Sequence, residues 1–471
     1  MIAFAIAAPF AFALLVRLIP QRSLRRAART VLTVIAAALP FFCAGSIDRL
    51  SLLFAGIVSV LGLLATFFSE GIFADDWTKG YAIWSSKPIY FILLGAFWSA
   101  MLLVVLAQNF ALLWLGISFT TLATAFLVGY SGEEAALEAA WKYLVLCSVG
   151  IAFALLGIVA LGHVSIAHGI PPAAALSWDA IEAHGTTGAT PLARVAIALM
   201  LVGFATKAGL VPMHAWLPDA HSKAPAPISG LLSGVLVSCA LYAIMRTLGV
   251  ANALGAGPFA ADLLVWFGAL SAVTAGALML AQTDLKRLLA YSTVEHAGIV
   301  ALALGFGGPL GWFAALLHVA AHAATKCAAF FMAGIVAQEC GSTELRRVRA
   351  LWTMHPAGGL MLAALAALCG LPPFGLFVSE VLVVLAGISA HRYAPLAFGV
   401  LGLALAFAAI ARVAIEIEGG VATHVATRRS GRFTALTTTL ALCCALGVAI
   451  VPWSTLGSAL LALAASAGGT P

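Results

Sequence analysis

The chain has 471 residues, 63% of them hydrophobic and 9% charged, whereas a soluble domain carries about 25% charged residues. With a mean hydropathy of +1.08, a water-soluble fold is excluded. The formal charge of +6 would suggest nucleic acid for a soluble protein, but in an apolar chain it reads as membrane topology, and no nucleic-acid partner is expected.

Stretches long enough to cross about 30 Å of hydrocarbon recur along the chain. They read as helices, because a barrel would need short alternating strands. Apolar runs bounded by Pro, Gly and charge predict an all-α polytopic fold of about 14 spans, in the lipid bilayer. These lie near 1–18, 31–47, 50–70, 88–107, 109–130, 141–162, 193–213, 226–248, 261–282, 289–307, 311–337, 357–390, 394–417 and 434–462. The amino terminus, MIAFAIAAPFAFALLVRLIP, lacks a basic segment ahead of its apolar run, so it is read as the first span rather than a cleaved signal peptide. The 8 cysteines form no CxxC pair and read as small core residues.

Loops after odd-numbered spans hold most of the cations, among them Arg22, Arg25, Arg26, Arg29, Lys79, Lys87, Lys142, Lys223, Lys286, Arg287, Arg346, Arg347, Arg349, Arg428 and Arg429. Loops after even-numbered spans hold only Arg49, Arg194, Arg246 and Arg392. The positive-inside rule then puts the odd loops in the cytoplasm and both termini outside, on the periplasmic side of an inner (plasma) membrane. The longest loop, 163–192, is rich in Pro, Gly and His and is expected to fold over the outer face.

Two spans are interrupted. In the seventh, LVGFATKAGLVPMHAWLPDAHSKAPAP, Pro212 is expected to open the helix one turn after Lys207. In the twelfth, MLAALAALCGLPPFGLFVSEVLVVL, Gly370, Pro372 and Pro373 break the helix and Glu380 follows two turns later. Interrupted helices at matching places in two halves point to an inverted-repeat transporter. The expected division is an N-terminal three-helix segment (1–87), a first repeat of spans four to eight (88–250), a second of spans nine to thirteen (251–417) and a C-terminal helix (418–471).

An ionisable residue at a helix centre costs about 2.5–3.5 kcal/mol on insertion scales, so each needs a reason to be there. Lys207 reads as a proton-exchanging lysine, or as a partner for the carbonyls freed at Pro212. In LLHVAAHAATKCAAFFMAG, His318, His322 and Lys326 stand at i, i+4 and i+8, one helical face spanning about 12 Å. Imidazole donates at one nitrogen and accepts at the other, as a proton relay requires. The HxxxH pair lacks the glutamate of a zinc protease, Val319 standing in its place, so no metal is expected. Glu380 closes the line as a terminal carboxylate, or forms a structural ion pair. His296, beside Glu295 in AYSTVEHAG, reads equally as an uptake residue or an interfacial cap. Asp284, Lys286 and Arg287 read as topology signal and capping. Asp219 and His221 read as ordering the loop after the broken helix or helping water in.

FATKAGLVPMHAWLPDAHSKAP, TDLKRLLAYSTVEHAG, LHVAAHAATK and GLPPFGLFVSE stand in one order over roughly residues 90–390. In that order they resemble the antiporter-like proton-translocating subunits of respiratory complex I, Mrp-type cation/proton antiporters and membrane-bound hydrogenases. ALEAAWKYLVLCSVGIA, LLSGVLVSCALYAIMR and the double proline of GLPPFG look most like the F component of hydrogenase-4 and formate hydrogenlyase complexes. The resemblance implies a proton pathway of Lys207, His318, His322, Lys326 and Glu380. It implies no cofactor in this chain, with redox chemistry in a peripheral hydrogenase or dehydrogenase module joined to it by other membrane-arm subunits. Two positions depart from the pattern. Ser118 stands where the family usually has a glutamate facing the seventh-span lysine, and Ser238 where some relatives carry a lysine. Protons would then enter through water held by Ser118 and another acid such as Glu138, or the chain would pump poorly. The alternatives to a redox-driven pumping subunit are a structural membrane-arm subunit that has lost transport and a Mrp-type antiporter subunit.

Overall fold

In hydrocarbon every backbone polar group must find its partner inside the chain, and a helix does this within one segment. Accordingly helix is almost the sole regular structure among the described residues, with one isolated bridge between Asp284 and Glu344. The computed structural model describes residues 1–72, 86–185, 188–349, 351, 357–419 and 432–468. Lys79, Arg428 and Arg429 of the topology count lie outside the described residues.

The chain begins with α1 (Ile2–Arg17), α2 (Arg22–Ala38) and α3 (Arg49–Ile72). There follow α4 (Lys87–Leu106), α5 (Phe110–Val128), α6 (Glu134–Ala167), a short outer helix α7 (Trp178–His184), α8 (Pro191–Ala208), α9 (Trp216–Lys223) and α10 (Ala226–Ala253). The remainder is α11 (Gly257–Leu280), α12 (Leu285–Phe306), α13 (Gly308–Cys340), α14 (Ala357–Leu368), α15 (Gly375–Ser389), α16 (Tyr393–Glu418), α17 (Arg432–Ile450) and α18 (Thr455–Gly468). Among the described residues, 11 helices are long and apolar enough to cross a membrane. Shorter apolar helices stand where the first, twelfth and fourteenth spans are expected.

The buried axis is α13, which packs against α12, α15, α17 and α18, while α10 is buried along its whole apolar window. At the periphery, α6 turns Trp141, Val149, Phe153, Leu156 and Val159 outward, a face suited to lipid or to another membrane helix. The loop between α6 and α8 packs down on the helices, burying Trp178 against Phe110 at 5.6 Å between ring centroids.

Beside it, Arg246 of α10 donates to Tyr242 Oη at 3.0 Å and Ser51 Oγ at 2.9 Å, and pairs with Asp48. Its guanidinium lies 4.7 Å from the Trp178 ring centroid. This cluster fastens α3 to α10 at one end of the molecule. Burial pushes the Asp48 carboxyl up, but Arg246 and the hydrogen bonds from Ser51 outweigh it and hold the group below its ordinary value.

Two expected boundaries differ. The seventh span stops at Ala208 rather than at Pro212, because Gly209 takes φ +75° and closes the helix with bonds from its own N–H to Thr206 O and from Leu210 N–H to Ala205 O. The fourteenth span, expected as one helix over 434–462, is two, α17 and α18, parted by a 3-10 turn at Val451–Trp453 that carries Pro452.

Candidate functional site

The two broken spans share local chemistry. They read Gly-Leu-Val-Pro at 209–212 and Gly-Leu-Pro-Pro at 370–373, each with a cis bond before the last proline. Gly370, at φ +62°, closes α14 as Gly209 closes α8, with Leu371 N–H bonding Ala366 O and Gly370 N–H bonding Ala367 O. The backbone freed at the first break is satisfied from neighbouring elements: Trp216 Nε1 donates to Thr206 O at 2.8 Å, and Val211 N–H donates to Ser271 Oγ at 2.9 Å. A Cβ on Gly370 would fall 2.2 Å from Glu380 Oε2, so the glycine also makes room for that carboxylate.

Lys207 ends α8 and is 1% exposed. Its ammonium donates to Thr121 Oγ1 and Tyr143 Oη, both at 2.7 Å, and Tyr143 in turn meets Thr124 at 2.6 Å. Among the described residues no carboxylate pairs with it. Ser118, where water is expected to be held, bonds back to Trp114 O in its own helix at 2.9 Å. Thr121, three residues on along the same face, takes the position against the lysine. Glu138 sits exposed on α6, 2.6 Å from Lys142. Ser238 is buried and closes onto Gly234 O at 2.6 Å in its own helix.

His221, read as ordering the loop or helping water in, is 0% exposed, with its ring 5.9 Å from that of Trp216 and 5.9 Å from that of Phe330. Trp216 itself lies 6.0 Å from the Lys207 ammonium. Phe330 belongs to α13, the helix that carries Lys326 and His322. His221 therefore lies between Trp216, beside Lys207, and α13, and among the described residues neither of its ring nitrogens has a hydrogen-bond partner.

On α13, His318, His322 and Lys326 are all buried and share a face as their spacing predicts. Lys326 Nζ donates to Leu289 O at 2.9 Å and to Ser292 Oγ, both on α12. His296, also on α12, is neither peripheral nor a cap. Its Nδ1 lies 3.1 Å from His318 Nε2, and its ring centroid is 5.2 Å from those of both His318 and His322. His318 Nδ1 continues to Ser379 Oγ at 3.0 Å. Beside this imidazole cluster is a partly open cavity of about 280 Å³, lined by Glu295, His296, Cys369, Glu380 and apolar residues of α16.

The cations around Asp219 and Asp284 are more engaged than simple topology signals. Lys286 is buried and donates to Ala224 O at the end of α9, while Asp219 bridges Lys142 at 3.6 Å and Arg287 at 3.2 Å. Asp284 caps α12 through Arg287 N–H at 2.9 Å, as the sequence predicts.

A helical membrane protein with two glycine-broken helices, and with lysines, histidines and a carboxylate gathered at the breaks, has the architecture of the antiporter-like subunits. The match to the family model described as NADH:quinone oxidoreductase/Mrp antiporter, TM, runs over residues 107–406, and the chain belongs to that family. It is 37% identical over 385 residues to a hydrogenase-4 component F homolog of Methylacidiphilum infernorum, covering 79% of each chain. A probable K(+)/H(+) antiporter A/B subunit of Rhizobium meliloti is 31% identical over 353 residues, 74% of this chain and 33% of the longer relative. In fold, the chain is similar to one chain of respiratory complex I from Thermus thermophilus, with a TM-score of 0.84, 20% identity, and 99% of each chain covered.

Proposed function

We propose that this chain is the proton-translocating membrane subunit of a membrane-bound hydrogenase of the hydrogenase-4 type or of a complex I-like oxidoreductase. It would sit in the cell's inner membrane, with both termini outside, beside other membrane-arm subunits and a peripheral redox module. The observation that carries this reading is the buried line itself: Lys207, Trp216, His221, Lys326, the His296–His318–His322 cluster and Glu380 succeed one another through the interior of apolar helices. Each ionisable member costs free energy in a membrane; the lysines and histidines are buried in protein, and Glu380 is half-buried at the cavity.

In this reading Lys207 exchanges a proton while Thr121 and Tyr143 hold its ammonium. His221 hands charge between the halves, and the imidazole cluster relays it toward Glu380. Imidazole suits this because taking a proton at one nitrogen releases one at the other. The two halves act as repeats, 88–250 and 251–417, flanked by 1–87 and 418–471. Free energy for the movement would come from a redox partner, since the chain's own site is built of proton carriers.

Lys207→Ala in the assembled complex, in sealed vesicles, is the direct test. The expected result is electron transfer without proton translocation. Unchanged protons per electron would remove Lys207 from the pathway. A Mrp-type antiporter reading rests on the Rhizobium relative; cation-driven proton movement with no redox substrate would favour it.

A further inference from the structure

Among the described residues no hydrogen bond joins Glu380 to the imidazole cluster, so the last step of the line needs another carrier. Glu295 of α12 stands at that place. It is 1% exposed, Oε2 is 3.5 Å from His296 Nδ1, and Oε1 is buried with no hydrogen-bond partner among the described residues. An unpaired carboxylate oxygen buried in a protein is costly and calls for an explanation.

The groups facing Glu295 come from several elements. His296 is on its own helix, Lys326 reaches that helix from α13 at Leu289 O and Ser292 Oγ, and Cys369 and Glu380 come from the second broken span. From α16 only apolar side chains reach the cavity. Glu295 and Glu380 line one cavity of about 280 Å³, room for several waters at about 30 Å³ each.

We propose that Glu295 is a further proton-carrying residue, taking a proton from His296 and passing it through this cavity to Glu380. An N–H bond of the protonated His296 imidazole breaks as an O–H bond forms on the Glu295 carboxylate. That O–H then breaks to a water in the cavity, which gives up a proton to the Glu380 carboxylate. No electrons move, and the total charge is conserved. The inference rests on the proton-translocating reading above and adds the acid that completes its second half.

The test is Glu295→Gln, which keeps the shape and removes the titrating proton, with Glu295→Asp as the conservative variant, in the assembled complex in sealed vesicles. The Gln variant is expected to lose at least tenfold in proton translocation, while Asp restores pumping with an altered pH profile. Gln pumping like the wild type overturns the proposal. If Lys207→Ala stops translocation in the same assay and Glu295→Gln does not, only this inference fails; if neither does, the functional reading itself fails. Should the Gln variant not assemble, the wild-type complex is treated with an apolar carbodiimide, which adds to protonated carboxyls. Adduct on Glu295 with loss of pumping supports the proposal, and adduct on Glu380 alone overturns it.

Discussion

Lys207 shows how a buried ammonium is kept without an acid beside it. Two hydroxyls at 2.7 Å replace part of its lost hydration, and a hydrogen bond to a charged group contributes about 1.5–3 kcal/mol. Tyr143→Phe removes one of these bonds and leaves the ring in place. The expected outcome is normal assembly and a loss in pumping rate of roughly tenfold or more, since about 1.4 kcal/mol is a factor of ten; proton uptake by vesicles measures it. The ionisable members of the line were legible in the sequence because charge inside an apolar run is costly and therefore conspicuous. Thr121 and Tyr143 carried no such signal, being neutral residues common in any membrane helix. Glu295 was named only as the neighbour of His296 near the expected start of the tenth span; the structure begins that helix at Leu285 and buries the glutamate.

At the scale of elements, the two helix breaks depend on glycine more than on proline. Gly209 adopts φ +75°, and a Cβ there would lie 2.3 Å from Leu217 Cδ1. Gly209→Ala therefore meets both the left-handed backbone penalty of about 1–2 kcal/mol and a steric clash. A lowered melting temperature in detergent, together with impaired pumping, is expected. Gly370→Ala drives a methyl into the Glu380 carboxylate, so its effect on proton translocation should exceed its effect on stability. The sequence showed that these helices break, and even that ionisable residues stand beside the breaks. It misplaced the first break because proline is the stronger local signal, whereas the helix had already closed three residues earlier at a glycine suited to that turn. The divided fourteenth span was missed for the opposite reason, a single proline within a long apolar run being tolerated in many membrane helices.

Across the whole molecule, buried helices α10, α12 and α13 carry the polar residues while the outer helices turn apolar faces outward, the arrangement expected when water-like chemistry is enclosed in lipid. The clamp between Asp48 and Arg246 fastens the first helices to this interior. Because the folded-state value of Asp48 is depressed, its contribution is present above the unfolded carboxyl value of about 3.9 and is lost as pH falls through the folded value. Wild-type melting temperature should therefore fall more steeply on acidification below about pH 4 than that of Asp48→Asn. Fold class and family were readable from composition and motif order; the burial of His221, the proposed joint between the halves, was not, because it lies in a stretch that reads as a loop.

That joint is where the claim of one continuous line is most exposed. His221→Phe preserves the aromatic packing between Trp216 and Phe330 and removes both ring nitrogens. Protons translocated per electron, measured in sealed vesicles containing the assembled complex, should fall to background while electron transfer continues. A wild-type ratio in that variant would contradict the account, leaving two separate clusters in place of a connected pathway.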